Sequence, residues 1–506
     1  MSSLCIVAIC LAIVTWIYFY NNPMCHGPWF LSRRFINWFP LGMTYAFLYM
    51  GRYNLTVAKN AFGDLMSNDA FGLIFAAGTG LYAFSFLING PLVDRIGGKA
   101  GILIAALGAA AANIILGVIT WLVLTKRTSV ALFWPFVVCY AVNMYFQSYG
   151  AVSIIKVKAN WFHVRERGVF GAIFGTLISF GVYFAFEWGP AVVDMTKVHP
   201  SADAGWLAHI LHDVFVRPGQ TIDATWAVFF MPAAILIAWA MVDLWLIRET
   251  PERAGFPYLE THDASHGLMH ETYTTLDLLK KVFLNPLMLM LGGVELTAGV
   301  LRNGIMQWYT IFAHQVPQPG AEGIIQKWGL LLCLFGITGG FAGGLISDKF
   351  FQSRRGPPTA IFCASMLMLA AVMAMTLFSR PFIVGVAALL IVAAVTGVHS
   401  LMSGTAAADF GGRKATATCS GVVDGCVYLG SSVQSVGVGY LVGLSWQWWP
   451  IFLMPFALAG GVISAKIWHE LPVATRKFIA EQRSSAKALQ SEQRQLFSRS
   501  AKMRRR

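Results

Sequence analysis

Two arginines in this 506-residue chain stand where a charge is costly. Arg52 lies in Tyr45-Ala-Phe-Leu-Tyr49-Met-Gly-Arg52-Tyr-Asn, and Arg302 in Glu295-Leu-Thr-Ala-Gly299-Val-Leu-Arg302-Asn-Gly-Ile-Met-Gln-Trp308. Each sits well inside an apolar stretch. A charge at mid-bilayer costs about 2.5–3.5 kcal/mol on insertion scales, and such a residue is by default a functional one. Tyr45, Tyr49 and Arg52 follow the spacing i, i+4, i+7, one face of a helix. That face offers two phenol hydroxyls and a guanidinium fork. A fork grips oxygens two at a time, which suits phosphate or carboxylate. Two forks from opposite sides of a cavity would clamp a small dianion. Lysine would supply charge without the fork. Glu295 is seven residues before Arg302, on the same face but two turns away, too far for easy local pairing.

The elements that must position these residues are apolar helices. The chain is 57% hydrophobic and 12% charged, against about 25% charged in soluble domains. Such a composition cannot cover a water-facing surface and fits a protein solvated by lipid. The net charge of +13 does not indicate nucleic acid, because the basic residues sit in short loops and a tail rather than on one soluble face. Twelve apolar segments fall into two blocks. The first covers 36–59, 70–93, 101–124, 130–155, 168–190 and 224–247; the second covers 286–313, 327–347, 358–378, 382–405, 416–443 and 447–468. The organisation expected is an N-terminal apolar segment over 1–33, a six-helix half over 34–247, a linker over 248–284, a second half over 285–468 and a basic tail over 469–506. The segment 4–20 has no basic n-region and no small-residue cleavage site, so it reads as an extra helix or signal anchor.

Lysines and arginines set the orientation. The side carrying the linker and the tail holds 27 of them and the other side 7, which predicts a cytoplasmic linker and C-terminus. An extra first helix would then put Met1 outside. The eight cysteines form no CxxC pair and give neither a disulfide framework nor a metal site. The linker histidines, including His262, His266 and His270, are irregularly spaced and read as a solvated loop. The tail ends in Arg504-Arg505-Arg506 and is expected to lie near anionic headgroups.

Three landmarks recur at nearly one offset, the mark of two related halves. Gly90-Pro-Leu-Val-Asp94-Arg95-Ile-Gly97-Gly98-Lys99 has a partial copy in Gly344-Leu-Ile-Ser-Asp348-Lys349, with the acids 254 residues apart. Arg52 and Arg302 are 250 apart, and the basic loops at Arg167 and Arg413 are 246 apart. The first string closely resembles the signature loop of the major facilitator superfamily. Gly90 is expected to let helices approach, and Asp94, Arg95 and Asp348 to act as a gating latch between halves.

Further strings narrow the resemblance. They are Arg302-x-Gly-Ile-Met-x-Trp308, Asn160-Trp161-Phe162-His163-Val164-Arg165-Glu166-Arg167-Gly168, Arg248-Glu249-Thr250-Pro251-Glu252-x-x-Gly255 and Tyr428-Leu429-Gly430. Over about residues 35–470 the chain resembles the organophosphate:phosphate antiporter family, which includes glycerol-3-phosphate and hexose-6-phosphate transporters. The resemblance implies an all-α major facilitator fold and no cofactor. It also implies exchange of a phosphorylated metabolite for inorganic phosphate across a bacterial inner membrane, by a protein expected to be monomeric. It places the family's essential arginines at Arg52 and Arg302, its pocket tyrosines at Tyr45 and Tyr49, its helix-4 glutamine at Gln147 and its helix-11 tyrosine at Tyr428.

The chain also departs from that family. Where many members have a helix-2 lysine, this one reads Tyr82-Ala-Phe-Ser85-Phe86; a helix-5 histidine is matched by Ile178, and a helix-7 tyrosine by Gly299. Glu295 and Asp424 add carboxylates in the seventh and eleventh segments. They are candidate coupling sites; Asp424 is first read as a helix-packing polar residue, with a proton or cation coupling site or an arginine partner as the sharper alternatives. The pocket is thus expected to be less positive than in the known exchangers. Three functions fit: an organophosphate antiporter, a proton-coupled organic anion carrier, and a transporter-like sugar-phosphate sensor. The sequence holds no P-loop, metal-binding histidine pair or nucleophile elbow, so an enzyme is not expected.

Overall fold

The computed structural model describes residues 3–163, 166–199, 206–217, 219–259, 280, 283–352, 354–406 and 416–470. Most of the linker with its histidines, Arg165, Arg413 and residues 471–506 lie outside the described residues, as do the side chains of 167–172.

A first helix, α1 (Ser3–Tyr20), precedes the two blocks. The first block comprises α2 (Pro28–Phe62), α3 (Asn68–Ile96), α4 (Gly98–Leu124), α5 (Phe133–Trp161), α6 (Arg167–Tyr183), α7 (Gly189–Met195), α8 (Trp206–Phe215) and α9 (Ala227–Leu246). A π-turn over Phe184–Trp188 joins α6 to α7, so these make one bent span. The second block comprises α10 (Pro286–Met306), α11 (Trp308–Gln315), α12 (Glu322–Gln326), α13 (Trp328–Phe350), α14 (Gly356–Thr376), α15 (Pro381–His399), α16 (Thr416–Leu444) and α17 (Trp448–Lys466). The short helices α8 and α12 lie in connections between spans.

Among the described residues, ten helices are long and apolar enough to cross a membrane by length and composition. The described helices that fall outside this group include α2, α5 and α10. These three carry Arg52, Gln147 and Arg302, so polar residues at the centre lower the hydropathy of the helices that matter most.

Local chemistry explains several ends and breaks. Pro28 and Pro286 open α2 and α10 at positions where no amide hydrogen is needed. The turn between α3 and α4 places Gly97 at φ 91°, a conformation that suits glycine. Glu249, at the start of the linker, then accepts the first amides of α4, from Gly98 and Lys99, each at 2.9 Å. A carboxylate at that end also meets the positive pole of the helix. The seventh span breaks at Gln307 with neither proline nor glycine there. Two distant indoles donate to carbonyls beside the break: Trp449 to Gly304 at 2.6 Å and Trp328 to Met306 at 3.2 Å. Side chains inserted into a helix ladder in this way cause kinks.

The first helix is anchored. Its buried residues Val7, Val14 and Tyr18 form one stripe. Tyr18 donates to the Leu31 carbonyl at 2.9 Å and accepts from Arg34 Nε at 2.9 Å. Arg34, counted from sequence among loop charges, is 1% exposed and forks onto Glu166 with two bonds of 2.9 Å.

The blocks meet along α3 and α16, where Gly72 faces the Ser435 carbonyl and Gly425 faces that of Ala83 at 3.3 Å from a virtual Cβ. Asn68 and Gln315 exchange hydrogen bonds of 3.1 and 3.0 Å at the end remote from the linker. There too, the amide of Leu330 on α13 donates to Glu187 at 3.3 Å. The halves are therefore joined at the linker-distal end and the midplane. Gly90, expected to permit close helix approach, has nothing within 4 Å of a virtual Cβ. Close approach occurs instead at Gly299 and Gly430, which face the carbonyls of Leu296 and Val427 across α10 and α16: Gly299 meets Val427 and Gly430 meets Leu296.

Candidate functional site

Arg52 projects from α2 into the interface between halves and is 1% exposed. Its Nε donates to Gln147 Oε1 at 3.0 Å, within its own half. Its Nη1 donates to the Tyr428 hydroxyl at 2.7 Å, on the opposite half. The guanidinium carbon lies 4.6 Å from the centre of the Tyr49 ring, 4.8 Å from Tyr82 and 5.4 Å from Tyr428. Cation–π attraction of this kind is worth about 2 kcal/mol or more when desolvated. The cage holds a charge where water does not solvate it. Nη2 of Arg52 and the Tyr82 hydroxyl are buried and have no hydrogen-bond partner.

Behind Arg52 runs a chain of amides. Gln147 Nε2 donates to Asn143 Oδ1 at 3.0 Å, which also accepts from Asn113 Nδ2 at 3.2 Å. Asn113 Oδ1 accepts from Asn54 at 2.6 Å, and Asn143 Nδ2 donates to the Gly51 carbonyl at 2.9 Å. The chain fixes the Gln147 amide with its oxygen toward Arg52. Tyr140 completes the support by donating to the Arg52 carbonyl at 3.0 Å. Gln147, expected among the substrate contacts, is thus fully buried and engaged at both ends of its amide. It holds the arginine.

Arg302 lies across the interface on α10, and the Tyr49 side chain bears on both guanidiniums. Tyr45 packs on Tyr49 with ring centres 5.5 Å apart. Beside Arg302, Asn303 accepts from the Tyr53 hydroxyl at 3.0 Å, a further hydrogen bond between halves. The two arginines, Tyr45, Tyr49, Gln147 and Tyr428 are therefore brought together at one place. Phe86 stands near Tyr428, with ring centres 6.1 Å apart, and Tyr82 is closer at 4.1 Å. The segment 82–86, read from sequence as lacking the family's lysine, supplies an aromatic wall.

The carboxylates of the second half form a group of their own. Glu295 is fully buried, and its two oxygens lie 3.0 and 3.2 Å from Nδ1 of His399, at the end of α15. Asp424 on α16 accepts from Ser403. His399, Asp424, Glu295 and Arg302 all lie within electrostatic reach of one another. Sequence reasoning missed His399. The available signal was an imidazole inside an apolar run, weaker than that of the arginines because histidine can be neutral.

The expected latch residues lie elsewhere. Asp94 pairs with Lys156 of the same half at 2.9 Å, and Asp348 with Arg355 of the same half at 3.1 Å. Arg95 lines a cleft of about 440 Å³ with Asp94, Lys156, Glu249 and Arg253. In this conformation each of these two ion pairs lies within one half. Among the described residues, no group of three or more His, Cys, Asp or Glu side chains could hold a metal ion.

Known proteins resemble this chain along most of its length. The chain is 25% identical over 436 residues to the glycerol-3-phosphate transporter of Bacillus subtilis, covering 84% of this chain and 90% of the relative. It is 23% identical over 456 residues to the membrane sensor protein UhpC of Salmonella typhimurium, covering 87% and 93%. It is 22% identical over 492 residues to a probable hexose phosphate transport protein of Chlamydia trachomatis, covering 90% and 98%. Among solved structures, a bacterial homologue of the human lysosomal transporter Spinster, inward-facing and occupied, superposes with a TM-score of 0.62 at 15% identity, covering 86% of this chain and 96% of that one. That likeness speaks for the fold. The sequence model of the Major Facilitator Superfamily matches residues 41–435, which contain both arginines, the amide chain and the helix pairs that join the halves. With twelve spans in two blocks and an added first helix, this integral membrane chain belongs to the Major Facilitator Superfamily.

Proposed function

We propose that this protein is a secondary active transporter of a small phosphorylated metabolite, exchanged for inorganic phosphate by alternating access. The observation that carries this reading is Arg52: a fully buried guanidinium, caged by three tyrosines, with Nη2 unpartnered and Arg302 facing it from the other half through Tyr49. A phosphoryl group would satisfy Nη2, draw on both arginines and accept from the tyrosine hydroxyls. Its two-sided grip would pull the halves together and lower the barrier between states, which favours exchange over net flux. Relatives named as glycerol-3-phosphate and hexose phosphate transporters support the substrate class. The excess of basic residues on the linker side supports a cytoplasmic linker and C-terminus in an inner membrane.

The test is exchange in proteoliposomes loaded with phosphate and offered labelled phosphate or glycerol-3-phosphate. Trans-stimulated exchange is expected, with Arg52→Lys and Arg302→Lys each abolishing it despite retained charge. Full exchange by both variants would refute the clamp. A second reading, a sensor, is favoured by the likeness to membrane sensor protein UhpC; binding without flux would select it.

A further inference from the structure

The enclosed site carries a balance of charge that a phosphate must upset. Arg52 and Arg302 are matched by Glu295 and Asp424, so the formal sum is zero with His399 neutral. A phosphomonoester brings about −1.5 to −2 at pH 7. Uncompensated charge in a buried site is expensive. One nearby group has the geometry to answer it. We propose that His399 takes up a proton when phosphate enters the site and gives it back when phosphate leaves, so that substrate and proton are bound together. This rests on the phosphate reading of the site given above.

The atoms assign the roles. Glu295 is fully buried, and both its oxygens address Nδ1. With Glu295 ionised, as its counter-charge role requires, its oxygens accept and cannot donate, so Nδ1 carries a hydrogen in either charge state of the ring. The proton that comes and goes is then on Nε2. The imidazole side chain is 32% accessible whereas the Glu295 side chain is 0%, so water reaches the ring and not the acid behind it. Glu295 fixes the ring and provides the counter-charge for the imidazolium. Asp424 is the rival proton acceptor; one of its oxygens is already occupied by the Ser403 hydroxyl, and its replacement by asparagine is the control.

The groups facing His399 come from several helices. Glu295 and Arg302 reach it from α10, Asp424 from α16 and Tyr49 from α2. Helix α13, packed along α15, meets this stretch through Gly339 and Gly343; its charged residues Asp348 and Lys349 follow about one and a half turns further along, with Asp348 paired to Arg355. A phosphate between Arg52 and Arg302 would offset the repulsion between Arg302 and an imidazolium. The coupling is reciprocal: the anion raises the proton affinity and the proton raises the anion affinity. The backbone departs from the α-helix at this point. His399 ends α15 and is followed directly by a π-turn over Ser400–Ala406, and π-bulges inside helices occur often at functional sites.

The test is titration calorimetry of the purified full chain with inorganic phosphate at one pH, in buffers of different ionisation enthalpy. The buffer dependence gives the protons taken up per phosphate, and protonation of the ligand itself cancels between variants. His399→Gln is expected to bind phosphate with about one proton fewer than wild type, and its affinity to lose up to about a tenfold rise per pH unit of acidification. Asp424→Asn is expected to keep the wild-type proton count. An unchanged count in His399→Gln, or loss of the proton in Asp424→Asn, overturns the proposal. Should His399→Gln fail to fold, Glu295→Gln gives a second measurement. The pH midpoint of phosphate affinity should move down in that variant, and an unmoved midpoint overturns the proposal equally. Absence of phosphate and glycerol-3-phosphate binding in wild type would instead defeat the transport reading, and this inference with it.

Discussion

Replacing Gln147 by leucine removes the acceptor of Arg52 Nε and leaves every other contact of that guanidinium in place. Nε donates to Gln147 at 3.0 Å, while Nη1 keeps Tyr428 at 2.7 Å and the three rings remain. A hydrogen bond to a charged group contributes about 1.5–3 kcal/mol. If that energy serves to aim Nη2 at the anion, losing it weakens binding by about 10- to 150-fold, at about 1.4 kcal/mol per decade. Folding should survive, because Asn143 Oδ1 still accepts from Asn113. The assay is phosphate half-saturation in proteoliposome exchange. A positioning role has a signature that direct contact lacks. Gln147→Leu should cost little further phosphate affinity, read by titration calorimetry of the purified protein, once Arg52→Lys is present, so the double-mutant cycle should be strongly non-additive. Gln147→Glu should lose more than Gln147→Leu, because the new carboxylate pairs with Arg52 and cancels its field. Half-saturation within twofold of wild type for Gln147→Leu, or additive losses in the cycle, would refute the role assigned to the amide.

Two further outcomes concern stability. Burial pushes the Glu166 carboxyl up, but hydrogen bonds from His26 and Arg34 and the charges of both outweigh it and hold the group at about 2. A depressed carboxyl stabilises the fold above its unfolded value of about 4.3 and loses that contribution as pH falls toward 2, and the shift corresponds to about 3 kcal/mol. Glu166→Gln should therefore melt well below wild type at pH 7 in detergent, with the gap narrowing between pH 5 and pH 3; a gap independent of pH would contradict this. Gly299→Ala should drive a methyl group into the Val427 carbonyl and cost about 1–3 kcal/mol. It should also weaken exchange by moving Tyr428 off Arg52, while Gly90→Ala, with open space around it, should melt as wild type does.

The sequence disclosed these residues unevenly, for physical reasons. Arg52 and Arg302 were legible because a charge in an apolar run violates the composition of its own helix. Tyr45 and Tyr49 followed from helical spacing. Gln147 and Tyr428 came through family resemblance, since one amide or phenol in a membrane helix is unremarkable by itself. The chain Asn54–Asn113–Asn143 links three helices, and no periodicity within one helix reveals which asparagines meet. The break at Gln307 was invisible for the same reason, as it is held by Trp328 and Trp449 from elsewhere in the chain. Arg34 looked like a loop charge because its partner Glu166 lies 132 residues away.

Gly299 shows how two departures from the family pattern depend on each other. Where relatives by resemblance carry a tyrosine, the backbone of α16 lies against α10, at Gly299 and reciprocally at Gly430. A tyrosine at 299 would occupy the space of Val427 and displace Tyr428 next to it. The close approach brings the Tyr428 hydroxyl to Arg52 and sets its ring 4.1 Å from Tyr82. Aromatic faces and a hydroxyl thus stand where the resembled family carries a lysine. The two halves then differ in kind. The first supports Arg52 by neutral amides and aromatic rings, which hold its charge without cancelling it. The second sets Arg302 among Glu295, His399 and Asp424, where its net field depends on protons. An anion should therefore find a constant charge on one side of the cavity and an adjustable one on the other. Acidification should strengthen binding through the second half alone, and Arg302→Gln should flatten the pH dependence of any residual binding while Arg52→Gln should leave its slope intact. Equal slopes in the two variants would show that the halves share the proton equally and would end this division of labour.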